Sequence, residues 1–262
     1  MSKTTVSGPY SIVSPSSLVS NLRDNKRDIS GEIEELNGMF GKNANLNIVF
    51  KDQIFLLDTI ETDNTQRAIV TMARSIKHQI KKAQSLANRV KSGGRVAKDE
   101  WPALEVYINS PGGDLYAYQT ILGLLTMAKM NRVTVKTIVF GWAASAASML
   151  AVHGSPGHRV MYKDALHMVH FGTFDQYITK ETEIEKSARE LERYKRIGRD
   201  TYLLNTRIGD KKLKALMEDE MGYLGALECL ELGFCDMVIG REKIIKLNSA
   251  ARAARRRQLI KD

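Results

Sequence analysis

The chain has 262 residues, 43% hydrophobic and 26% charged, which bounds it as a globular protein with one large core or a core with extensions. It contains no run of about 18 apolar residues, and its start "MSKTTVSGPYSIVSPSSLVS" lacks the apolar centre of a signal peptide, so a cytoplasmic protein without a membrane span is expected. The net charge of +9 is uneven, and residues 241–262 hold eight Lys/Arg against two acids.

In chain order, residues 1–43 read as a polar N-terminal arm with a short amphipathic segment, "SGEIEELNGMF". "LNIVFKDQIFLLD" predicts two short strands around Lys51 and Asp52. In "TQRAIVTMARSIKHQIKKAQSLANRV", Ile69, Met72, Ile76 and Ile80 recur at helical spacing. The glycines of "KSGGRVAKDEW" break that pattern inside a basic stretch, read as an exposed loop. A strand "ALEVYI", a buried helix "LYAYQTILGLLTMAKM" and a strand "RVTVKTIVF" follow.

"AASAASMLAV" is small and apolar enough for a tightly packed helix, and "DALHMVHFG" reads as a strand. "TKETEIEKSARELERYKRIGRDTYLL" predicts a long helix with opposed charges three and four residues apart. A shorter helix is expected around "DKKLKALM". "LGALECLELGF" is a helix stopped by Gly233, and "CDMVIG" a closing strand. Cys229 and Cys235 are expected as buried thiols of a reducing compartment, too few for a metal site. "ARAARRRQLIKD" is a helix former suited to phosphate, an acidic protein face or solvent, and arginine runs without aromatics do not specify nucleic acid. Strands alternating with helices define an α/β domain with mostly parallel sheet.

The stretch "VYINSPGGDL" brings the bare backbone of Gly112 and Gly113 to a helix mouth. Three uses are open: a phosphate cradle, an oxyanion hole or a structural turn. The stretch lacks the G-x-x-x-x-G-K-[ST] and G-x-G-x-x-G patterns, and Asp114 would repel a phosphate. An oxyanion hole needs a nucleophile near it. "FGWAASAASML" supplies Ser145 just after a strand and a glycine, among small neighbours that permit close approach; serine there is equally a common N-cap. Ser148, one turn further, reads as buried packing.

His167 and His170 lie three apart in one strand, so they point to opposite faces and cannot share a metal ion. One is expected at the serine and the other elsewhere. His78, His153 and His158 are assigned to solvent or packing.

Taken together, "YINSPGG", "GWAASAASML" and "ALHMVHFG" resemble, in order, segments of the Clp protease proteolytic subunit (ClpP) family, with "KDQIFLLDTIE" and "ALECLELGFCDMVIG" as flanking matches. The resemblance covers about residues 44–240, read as the protease domain, with a basic insert at about 77–100 and a basic tail at 241–262. It implies a ClpP/crotonase-like α/β fold of repeated β-β-α units with a long protruding handle helix. It also implies a serine endopeptidase with Ser145 as nucleophile, His170 as base, and the N–H groups of Gly113 and Ala146 as the oxyanion hole.

The acid position departs from the family's pattern. In "LMEDEMGYLGALEC", alignment from Tyr223 reaches Met221, counting from His170 reaches Asp219, and anchoring on "ALM" favours Glu220. Asp219 is preferred, with Glu220 as the alternative acid. The family's proline after the histidine is replaced by "FGTF". The resemblance implies no metal or organic cofactor. It implies polypeptide substrates, a homo-oligomer of stacked rings and an ATP-dependent unfoldase as feeder. Rival readings are a catalytically silent ring component, a serine–lysine peptidase, an acyl-CoA enzyme of the crotonase type, and a capsid-maturation protease working near nucleic acid.

Overall fold

A computed structural model describes residues 10–13, 47–170, 181–218, 222–240 and 244–247. In chain order its elements are β1 (Tyr10–Val13), β2 (Asn47–Phe50), β3 (Gln53–Leu56), α1 (Thr62–Lys91), β4 (Ala103–Ser110), α2 (Leu115–Met130), β5 (Thr134–Ala144), α3 (Ala146–Val152), β6 (Arg159–Tyr162), β7 (Leu166–Val169), α4 (Glu181–Asn205), α5 (Asp210–Glu218), β8 (Gly222–Gly225), α6 (Ala226–Leu232), β9 (Met237–Ile239) and β10 (Ile244–Leu247). The strands lie in the order β1-β10-β9-β6-β5-β4-β3-β2, with β7 on the far end of β5 and β8 on β7. The pairs from β3 through β4, β5 and β6 to β9 are all parallel, as is β5 with β7, and antiparallel pairs close the edges.

Alternation along β4 sets the layers. Leu104, Val106, Ile108 and Ser110 are buried under the helices, while Ala103, Glu105, Tyr107 and Asn109 face the other way. Among the described residues no helix covers that second face, unlike the doubly covered sheet usual for parallel strands. Phe55 stacks on Tyr107 there at 5.0 Å. Beside them Phe140 and Trp142 of β5, Tyr162 of β6 and Leu166 of β7 are exposed.

The helix α1 follows the apolar spacing, burying Ala68, Met72, Ile76 and Ala83. It runs on to Lys91, so most of the basic segment at 77–100 is helix, and the loop begins at Ser92. Gly233, in the left-handed conformation at φ 80°, ends α6 as expected.

Four strands were not expected: β6, β8, whose Leu224 and Gly225 were read as part of a helix, and the edge strands β1 and β10. β9 does not close the sheet: β10 pairs with it antiparallel, and β1, from the arm, pairs with β10. The runs "YSIV" and "IIKL" are too short to signal a strand locally, and only the neighbouring edge makes them one. The remainder of the arm with "SGEIEELNGMF", the rest of the tail, and "FGTF" lie outside the described residues.

Candidate active site

The glycine turn is fixed from below by Ser110, whose buried hydroxyl donates to the Asp58 carbonyl at 2.6 Å and accepts from the Gly112 N–H at 3.1 Å. Ile60 then pairs with Gly113 as a single parallel bridge. Ile60 N–H donates to the Gly112 carbonyl and Asp114 N–H to the Ile60 carbonyl, both at 2.7 Å. In such a bridge the intervening residue's own N–H points to the opposite side, here away from Ile60. Asp114, expected to repel phosphate, is the N-cap of α2, accepting from Ala117 N–H at 3.1 Å.

The glycines are required by close approach. A Cβ on Gly112 (φ 95°) would lie 2.6 Å from the Ala144 carbonyl oxygen, 2.7 Å from Ser145 Cβ and 2.9 Å from Ala146 N. A Cβ on Gly113 (φ 144°) would run into the Ile60 backbone. Gly112 therefore seats the turn directly on Ser145 and Ala146, and Gly113 ties it to Ile60.

Ser145 occupies a sharp turn between β5 and α3, at φ 53°, ψ −122°. A β-carbon in this left-handed region costs of order 1–3 kcal/mol, held here by the surrounding hydrogen bonds. Ser145 N–H donates to the Met168 carbonyl at 2.9 Å, and its carbonyl accepts from Met149 N–H at 3.2 Å. As the first residue of α3, Ala146 has no intrahelical acceptor for its N–H.

The register of β7 delivers the histidine. Ala144 pairs with Met168, so His170 emerges one step past the strand beside the serine. His170 Nε2 and Ser145 Oγ are 2.8 Å apart. Burial holds the His170 imidazole below its ordinary pKa, so at neutral pH the ring is uncharged and can accept a proton. His167, on the other face of the strand, is buried against Ser148 as the alternation required, its Nδ1 2.9 Å from Ser148 Oγ.

β8 pairs antiparallel with β7, and Gly222 is opposite Val169. The chain thus returns alongside His170 just after residues 219–221. Asp219 and Glu220 themselves lie outside the described residues.

Sequence reading missed what Asn109 does. Between Ile108 and Ser110 the β4–β5 register slips, and β5 bulges around Phe140 and Trp142. Asn109 Oδ1 fills the bulge, accepting from Trp142 N–H at 3.1 Å. A Cβ on Gly141 would collide with that carboxamide, which is why a glycine precedes the serine segment. The pairing of "N" in one motif with "G" in the next was present in the sequence, but only as two separate letters.

The other titratable groups are accounted for elsewhere. His153 Nε2 lies 3.0 Å from Thr126 Oγ1. Cys229 and Cys235 are free and buried. Among the described residues no cluster of three or more His, Cys, Asp and Glu side chains could hold a metal, and no helix is long and apolar enough to cross a membrane.

An α/β protein with a serine–histidine pair at the carboxyl ends of its parallel strands, under a glycine turn, is the class this fold and site define. The chain belongs to the Clp protease family, whose family model matches residues 61–242. It is 34% identical over 134 residues to ATP-dependent Clp protease proteolytic subunit 1 of Bifidobacterium longum, covering 51% of this chain and 56% of that protein. It is 30% identical over 141 residues to the subunit 1 of Corynebacterium glutamicum, covering 54% and 66%. With the proteolytic subunit of Streptococcus pneumoniae the identity is 28% over 151 residues, covering 56% and 74%. The match to the Bifidobacterium subunit thus spans little more than half of that relative's length.

Proposed function

We propose that the protein is a serine endopeptidase acting through Ser145 and His170. The observation that carries this reading is the 2.8 Å contact between Ser145 Oγ and His170 Nε2. His170 Nε2 takes the Oγ proton as Ser145 attacks a peptide carbonyl. The Gly113 and Ala146 N–H groups receive the resulting oxyanion. The imidazolium then gives its proton to the departing amine, leaving an acyl-enzyme. Water, deprotonated by the same imidazole, attacks the ester, and the proton returns to Ser145 as the acid product leaves. Asp219, with Glu220 as alternative, orients His170 from the segment that precedes Gly222. Family membership and the glycine turn seated on the serine both support this assignment.

The working unit is proposed as a homo-oligomeric ring with α4 as the handle between two rings, taking unfolded polypeptide from an ATP-dependent unfoldase. Support comes from the relatives, named as subunits of an ATP-dependent protease, and from the open sheet face with exposed Phe140, Trp142, Tyr162 and Leu166.

A fluorophosphonate probe tests the chemistry. The assembled protein should be labelled at Ser145 and should cleave a casein substrate, and Ser145→Ala should lose both. Assembly without labelling or cleavage would leave the silent ring component as the better reading.

A further inference from the structure

We propose that the outer face of α1 binds the phosphate backbone of double-stranded DNA without reading its sequence. Residues 66–98 contain nine Lys/Arg and no Asp/Glu, as much charge as the whole chain carries net. All nine, Arg67, Arg74, Lys77, Lys81, Lys82, Arg89, Lys91, Arg95 and Lys98, are exposed. Only Arg89 has an ion-pair partner among the described residues, Glu100 at 3.2 Å.

At 100° per residue, the six cations from Arg67 to Arg89 fall within an arc of about 140° opposite the buried Ala68, Met72, Ile76 and Ala83. The stripe is about 33 Å long, close to one turn of duplex. Like charges at such spacing destabilise a helix, and the acids of α1 and its N-cap, Asp63 and Glu61, lie at its start, ahead of the stripe. The contrast is α4, whose six Lys/Arg are matched by six Asp/Glu: Lys195 pairs with Glu192 at 3.0 Å and Arg193 with Glu190 at 3.9 Å.

Position makes the stripe accessible. α1 starts at the glycine turn, and Ser75 already hydrogen-bonds the Lys51 carbonyl, in the turn that opens β3. Beyond Ala83 no residue through Gly93 is buried, so the last two turns stand off the body.

The side chains between the cations decide the partner. Thr71, His78, Ser85 and Asn88 share the face, which has one exposed apolar residue, Val70, and no Phe, Tyr or Trp. Protein interfaces are anchored by aromatic and apolar residues, and single strands by aromatic stacking, both missing here. Lys and Arg interleaved with Ser, Thr and Asn are the groups that contact phosphate. The B-form major groove admits a helix, whereas the deep, narrow groove of duplex RNA does not.

The test uses the full chain carrying Ser145→Ala, which makes binding independent of peptidase activity, and a mixed-sequence duplex DNA of about three turns. Affinity by fluorescence anisotropy should fall with salt at a log–log slope of roughly −5 for six phosphate contacts. The combined Arg74→Gln, Lys77→Gln, Lys81→Gln, Lys82→Gln variant should cut that slope by roughly three to four. A matching variant of Arg252, Arg255, Arg256 and Arg257 to Gln should leave most of the slope in place. The inference is overturned by failure to bind DNA, by equal binding of the α1 variant, or by loss of binding only in the tail variant. Preferential binding of duplex RNA or of polyglutamate would also overturn it.

Discussion

Ser148 Oγ and His167 Nδ1 lie 2.9 Å apart in the interior, repeating one turn deeper the contact that Ser145 makes with His170. The two pairs arise from one geometry. Ser148 in α3 follows the N-cap Ser145 by three residues, His167 in β7 precedes His170 just past the strand by three, and alternation along the chain turns the histidines to opposite faces.

Burial, with a smaller contribution from Arg159, pushes the His167 pKa down to about 3, and burial with nearby Lys129 pushes His153 down to about 4. Both rings take up a proton near 6.5 when unfolded. Stability is therefore full above pH 6.5 and falls as the pH drops, until about 4 for His153 and about 3 for His167. Each contributes roughly 1.4 kcal/mol per pH unit over its window. His167→Asn, which keeps a hydrogen-bonding group near Ser148, should remove one proton's worth of that slope in urea unfolding between pH 6 and about 4. An unchanged slope would mean that His167 is not held neutral in the fold.

Inactivation by a fluorophosphonate should hold its plateau through pH 6.5 and decline only below it, because burial lowers the His170 pKa. A carboxylate on the other ring nitrogen supports the imidazolium, so its removal moves the limb lower still. Asp219→Asn should do this and slow the reaction on the order of 10⁴-fold, with Glu220→Gln nearly silent. The reverse pattern would assign the acid to Glu220.

Gly112→Ala should abolish labelling, a loss of at least about a hundredfold, because the added carbon meets the backbone of Ala144 and Ala146 rather than a movable side chain. Gly93→Ala is the control: it has a similar φ of 83° but nothing within 4 Å, so it carries the conformational cost alone. Equal labelling rates for the two variants would remove the close-approach argument.

Arg159 is 7% exposed and holds three chain segments together. It pairs with Asp236 at 2.6 Å and donates to the Gly233 carbonyl at 2.8 Å and to the Asn205 carbonyl at the end of α4. Burial raises the Asp236 pKa, but hydrogen bonds and charge from Arg159 outweigh it and leave the carboxyl below its usual range. Asp236→Ala should cost about 3–5 kcal/mol in chemical unfolding, and Arg159→Met with Asp236→Leu less than the sum of the single changes. Additive losses would show that the two residues do not act as a pair.

Much of the fold was legible because its signals are local. The alternation in "ALEVYINS", the apolar spacing of α1 and the glycine that stops α6 each depend on a few neighbouring residues, and the strands and helices fell where those patterns placed them. β1, β6, β8 and β10 were missed for the complementary reason. Runs of four residues become strands through partners elsewhere in the sheet, 22 positions away for β6 and more than 230 for β1.

The site divides in the same way. Sequence alone determined the chemical inventory: a serine among alanines after a glycine, two histidines forced to opposite faces, and a glycine pair before a helix. Tertiary structure decided which of these groups meet. The β5–β7 register brings His170 rather than His167 to Ser145, and the β5 bulge filled by Asn109 explains Gly141. The bridge from Ile60 turns the Gly113 N–H away from the strand beneath it. The parallel pairing is set by hydrogen bonds between strands whose paired residues lie 22 to 77 positions apart in the chain, and no window of neighbouring side chains encodes them.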